Sequence, residues 1–265
     1  MPVPLSLPWM ESADAKLARA IEHFEAYNNA ADEFVHGVER NVVRKKNEET
    51  GAEWLVFWES DQFPPIRIAA IVGDVAFNLR SALDNLVCGL VRREDQAASC
   101  ELLEFPICTT EEIFHKAIAR GRLSGVCDEG VRRIRSVQPF HLPENSRMLH
   151  PLWLLHDLNN RDKHRAVHIT IAATQRGEVV FMNDKSAAIY RVDLPPTTSL
   201  GPVTVPIPPG MPDPVRAMAR GRFVIAFRSI DLLVDRPVQD VLATCIRYVD
   251  LNVFDLLKPL FRPKS

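Results

Sequence analysis

The segment that most constrains the fold lies between Pro65 and Arg93. There Ile68, Ile71, Val72, Val75, Leu79, Leu83, Leu86, Val87 and Leu90 recur at helical spacing and spread apolar surface around most of a helix circumference. Such a helix must be covered on several sides, which predicts a central helix over Ile66 to about Arg93, with Pro64-Pro65 just before its first turn. Set into this apolar run are Asp74, Asn78, Arg80, Ser81, Asp84 and Asn85. Asp74, Asn78, Ser81 and Asn85 fall at steps of four, three and four, along one face, and Arg80 and Asp84 are placed for an i,i+4 contact beside it. Burying these groups unpartnered would cost on the order of a few kcal/mol each, so they face water or answer one another.

Around this helix the pattern predicts others. Leu17, Ile21, Phe24, Ala31, Phe34 and Val35 give an amphipathic helix from near Ser12. Val38 to Lys46 and Glu53 to Glu59 flank a turn-forming stretch and read as a hairpin. Thr109-Thr110-Glu111-Glu112 reads as a capping box opening a short helix to about Arg120, and another runs from about Asp128 to before Gln138-Pro139. A fifth helix follows from about Ser146 to Lys163. From Val167 the period changes to two, with strand-like runs at Val167 to Ala172, Glu178 to Met182, Ala187 to Leu194 and Arg222 to Arg228, and a turn at Thr174 to Gly177. The Pro-rich stretch from Pro195 to Pro214 reads as a long surface loop, and Asp235-Arg236-Pro237 opens a closing helix striped by Val238, Val241, Leu242, Cys245, Ile246 and Val249. The expected fold is α+β: a helical core of about five helices, an antiparallel β-sheet in the C-terminal half and a closing C-terminal helix. One domain over 1–265 is expected, helical over about 12–165, with the sheet and last helix over about 166–262.

With 32 basic and 34 acidic residues the formal charge is -2, so no global field favours nucleic acid or an anionic membrane, and any basic site is local. No run of about 18 apolar residues exists to span a membrane, and Met1 to Met10 lacks the pattern of a secretory signal. Cys88, Cys100, Cys108, Cys127 and Cys245 are odd in number and widely spaced, which fits reduced thiols and a cytoplasmic location. Gly-rich phosphate loops, a GxSxG elbow, an HExxH helix and a CxxC pair are all missing.

On the fifth helix, Leu149, Leu152 and Trp153 begin a stripe that continues as His156, Asn160, Lys163 and His164, so one face turns from apolar to polar. A local basic group, Arg161, Lys163, His164, Arg165 and His168 with Asp162 inside it, gathers where this helix gives way to strand.

The segments Gly73-Asp74-Val75-Ala76-Phe77-Asn78-Leu79-Arg80-Ser81-Ala82-Leu83-Asp84-Asn85-Leu86 and Pro151-Leu152-Trp153 through Asn160-Arg161-Asp162-Lys163-His164-Arg165 resemble the two signature segments of a widespread family of bacterial hypothetical proteins. Phe105-Pro106-Ile107 and Gln138-Pro139-Phe140 fit the same pattern, and the likeness covers residues 12 to 170. Phe77 and Asn85 stand where that pattern usually carries histidines, which counts against a histidine-metal role. More distantly, Arg161 followed by His168 is similar to the arginine and histidine of higher eukaryotes and prokaryotes nucleotide-binding (HEPN) nucleases, helical domains that cut RNA without metal. The resemblance implies catalysis by Arg161, His168 and His164, with His168 as acid or base and Arg161 stabilising the phosphorane charge.

Binding residues would be Asp74, Asn78, Arg80, Asp84, His156, Asn160, Asp162, Lys163 and Arg165. RNA or another phosphate-bearing ligand is the partner implied, with no membrane, no cofactor and no metal, and oligomerisation left open. Whether the chain is an enzyme is left open too. The competing reading is a non-enzymatic anion-binding or protein-interaction module, in which the polar groups are a hydrogen-bonded layer that fixes helix packing. A metal site is weaker, because His156 and His164 are about 12 Å apart along a helix axis.

Overall fold

A computed structural model of the chain describes residues 9–37, 42–46, 53–57, 63–164, 169–182, 189–194, 203–206, 216–228, 233–234 and 236–262, with side chains over 9–36, 63–162, 169, 224–228, 233–234 and 236–262. Backbone contacts group the chain into two compact units, one of residues 1–28, 66–167 and 239–265 and one of residues 29–65 and 168–238.

The first unit is built on α2 (Ile66–Glu94), the predicted central helix. Its Ile68, Val72, Val75, Leu79, Leu83 and Leu86 are fully buried, as their spread around the circumference requires. Packed with it are the N-terminal part of α1 (Glu11–Gly37) and α5 (Pro151–His164), which buries Leu152, Leu155 and Leu158. The short helices α3 (Glu111–Ala119) and α4 (Asp128–Ser136) complete the middle of the chain. Thr110 caps α3 by accepting from Ile113 N at 3.3 Å, so the predicted start is correct. The fifth helix begins later than expected, because Pro139–His141 and Glu144–Leu149 form 3₁₀ turns first. The closing helix α6 (Val238–Tyr248) widens into a π-helical segment, Val249–Phe254, and ends in short turns to Phe261.

The α+β expectation, with an antiparallel sheet in the C-terminal half, is corrected. Over the fully described residues the protein is mostly helical, 72% helix and 4% strand, with a single strand and no sheet. The helices bury their apolar faces on one another, and no described strand lies in the helical unit. The strands belong to the second unit and, apart from residues 169 and 224–227, are described in backbone alone. There β1 (Val42–Lys46) and β2 (Glu53–Phe57) pair, and β5 (Val203–Pro206), inside the stretch expected to be loop, pairs with β2. β3 (Ile169–Met182) pairs with β4 (Ile189–Leu194) and β6 (Arg216–Phe227). The turn expected at Thr174 to Gly177 is instead a register irregularity inside β3.

The cysteine reading is corrected as well. Cys88 and Cys100 form a disulfide across 12 residues, with Cα atoms 5.5 Å apart, while Cys108, Cys127 and Cys245 are free. The chain turns back after α2 and brings Cys100 beside the helix, a return that spacing in the sequence does not reveal.

Candidate functional site

The polar residues of α2 separate into two groups. Arg80 points to one side, with its side chain only 8% exposed, and its Nη2 donates to Glu104 Oε1 at 2.7 Å and lies 3.0 Å from Asp84 Oδ1. Arg122 Nη1 holds the other oxygen of Glu104 at 2.6 Å, and Asp84 Oδ1 accepts from Phe105 N at 2.9 Å. This network fastens the segment after the disulfide to α2. Arg80 Nη1 is buried without a hydrogen-bond partner among the described residues. The predicted i,i+4 contact of Arg80 and Asp84 is present, and Glu104 and Arg122 are the partners that sequence spacing missed, since they come from a distant segment.

The second group lies where α2 meets α5. The Asp162 carboxylate sits against Gly73, in the space that a Cβ at position 73 would occupy. Only glycine permits so close an approach of a side chain to the α2 backbone. Burial, and next the negative charge of Asp74, raise the Asp162 carboxyl above its ordinary range. Asp74 is half exposed and its Oδ2 lies 4.0 Å from Nδ1 of His23 on α1. His23 lies between Glu22 and Phe24 on α1, and its approach to Asp74 is what brings it into this group. Asn78 is buried and donates to the Asp74 carbonyl at 2.8 Å, which satisfies its amide within its own helix.

On α5, Asn160 Nδ2 lies 2.9 Å from His156 Nε2, and the Trp153 ring rests 5.4 Å from that imidazole. Arg161 Nε donates to Asp157 Oδ2 at 2.8 Å from a position 44% exposed. Lys163 and His164 close the helix, and their side chains lie outside the described set, as do Arg165 and His168 entirely. Of the predicted catalytic residues Arg161, His164 and His168, therefore, only the Arg161 side chain is placed. Phe77 is half exposed, with Lys16 Nζ 5.5 Å from its ring centre.

Chemically, the α2–α5 contact is a carboxylate pair with a nearby imidazole. Among the described residues no group of three or more His, Cys, Asp or Glu could hold a metal ion, and no helix is long and apolar enough to cross a membrane. Burial pushes the Cys108 and Cys245 thiols away from reactivity: Cys108 rises to about 11, against the opposing charge of Arg80, and Cys245 to about 12. The chain matches no family model, no curated protein and no solved structure.

Proposed function

We propose that the protein is a non-enzymatic interaction module in which the polar residues of α2 are part of the fold. The observation that supports this most is the Arg80 guanidinium, whose Nη2 is taken up by Asp84 and Glu104 of the same chain. A buried arginine held between two carboxylates is not free to bind a phosphate, and its removal would leave those carboxylates short of a partner. Arg161, in the last turn of α5, fits the same reading, because a cation there complements the helix dipole.

A second reading, an RNA-directed activity of the HEPN kind, is favoured by one feature. Arg161 holds only a surface pair with Asp157, worth about 0 to 1 kcal/mol, so its guanidinium can transfer to a phosphate at little cost. The two readings part in a single assay. Purified full chain is incubated with structured and single-stranded RNA, in chelator and in magnesium. The module reading expects intact RNA in every lane and early melting of Arg80→Ala. Cleavage in chelator that Arg161→Ala abolishes at unchanged melting temperature would overturn it.

A further inference from the structure

The Cys88–Cys100 disulfide has a setting that the proposed module role does not use. Beyond the end of α2 the chain runs through residues 95–103 before Glu104 and Phe105 are fastened again, by Glu104 N to Arg122 O at 3.0 Å and Phe105 N to Asp84 at 2.9 Å. Within that segment the hydrogen bonds are local. Ala97 N donates to Asp95 Oδ1 at 3.0 Å, Ala98 N to Asp95 O at 3.1 Å, Glu101 N to Ser99 Oγ at 3.4 Å and Leu103 N to Cys100 O at 3.1 Å. Asp95 N bonds back to Val91 O at 3.0 Å, which only finishes the helix. Between Ala97 and Leu103, the tie to α2 that the described residues show is the disulfide.

The same segment lines a cleft of about 430 Å³, contributing Ser99, Glu101 and Leu102 to a lining that also includes Val91, Gly121 and Gly125. The residues on both sides of Cys100 in sequence therefore line it. Both cysteines are only half-buried, so a small thiol or a dithiol protein can reach the bond.

We propose that Cys88–Cys100 is a redox-sensitive strap that holds residues 95–103 against α2 and keeps this cleft formed. A dithiol reductant opens it in two steps. Its thiolate attacks one sulfur, forming a mixed disulfide and expelling the other cysteine as a thiolate, which takes up a proton. The second thiol of the reductant then displaces the first cysteine, so that two electrons and two protons pass to the protein and the reductant leaves as a disulfide. Reduction frees the segment because no other bond to α2 replaces the lost one. It leaves the helical core in place, since the buried side chains of α2 make no use of the bridge.

The test is hydrogen exchange read by mass spectrometry on the full chain, oxidised and after treatment with dithiothreitol. Amides of residues 96–103 are expected to exchange at least tenfold faster on reduction, with those of 68–87 unchanged. The Cys88→Ser, Cys100→Ser double variant should show the fast pattern with or without dithiothreitol. Equal exchange of 96–103 in the oxidised and reduced wild type would overturn the proposal, as would reduction that loosens α2 along its whole length. Alkylation of all five cysteines in unreduced, denatured protein would overturn it too.

Discussion

The carboxylate of Asp162 on α5 occupies the place where a side chain at Gly73 on α2 would begin. In an exposed helix interior, glycine to alanine gains about 1 kcal/mol from propensity. Here the added methyl must displace a half-buried carboxylate, and overpacking costs ~1–3 kcal/mol. Gly73→Ala is expected to be less stable than wild type by chemical denaturation, whereas in an Asp162→Ala background the same change should be stabilising. An identical effect of Gly73→Ala in both backgrounds would mean that the two residues do not oppose one another.

Arg80 offers the largest single loss. Its side chain is 8% exposed, while Asp84 and Glu104 are 34% and 37% exposed and keep Phe105 N and Arg122 as other partners. Arg80→Ala should cost ~3 kcal/mol, the low end for a broken buried pair, because water can reach the two carboxylates left behind. Thermal melting should fall by about 6–12 °C. Arg161→Ala, which breaks only a surface pair, should stay within about 1 kcal/mol of wild type. Equal melting of the two variants would show that Arg80 is not buried as described.

Helix positions were legible because apolar spacing reports burial directly: Leu79, Leu83 and Leu86 announce α2, and Thr110 announces α3. The Arg80–Asp84 contact was legible for the same reason, being one helical turn long. Glu104 and Arg122 were not, nor was the bridge from Cys88 to Cys100, since each depends on where the chain returns in space. The period-two runs after Val167 marked strand correctly in places but said nothing of their grouping apart from the helices, and the Pro-rich stretch hid β5. Gly73 reads as a mere interruption of a helical pattern until Asp162 is seen against it. His168 and Arg165, on which the nuclease resemblance turns, lie outside the described residues.

His150 should set the acid limit of stability. It is buried against Tyr248, ring centres 4.7 Å apart, and its Nδ1 accepts from Leu152 N at 3.2 Å. Burial, and next the nearby His141, lower its pKa from the ordinary 6.5 to about 4. The folded state therefore holds the neutral ring, and its contribution is fully present above pH 6.5 and is lost as pH falls through about 4. Urea midpoints should drop between those values for the wild type. In His150→Asn, which keeps an acceptor but does not titrate in this range, the drop should be smaller, and curves that remain parallel would remove His150 as the cause.

Asp162 carries the opposite sign. Its pKa is raised by burial first and by Asp74 second, so the folded protein binds the proton more tightly than the unfolded chain does. The stabilising contribution is fully present below the ordinary carboxyl value near 3.8 and is lost as pH rises through the folded value. Near neutral pH, then, the ionised group is a burden on the α2–α5 contact. Asp162→Asn keeps the size of the side chain against Gly73 while removing the charge. It should raise the urea midpoint at pH 7 and lose that advantage as the pH approaches 3.8. Asp74→Asn, which takes away the neighbouring charge and leaves the Asp162 carboxyl in place, should give a smaller gain over the same window, because burial is the larger cause. If Asp162→Asn proves less stable than wild type at pH 7, the carboxylate is held by a favourable partner, and the contact with Gly73 is a charged anchor.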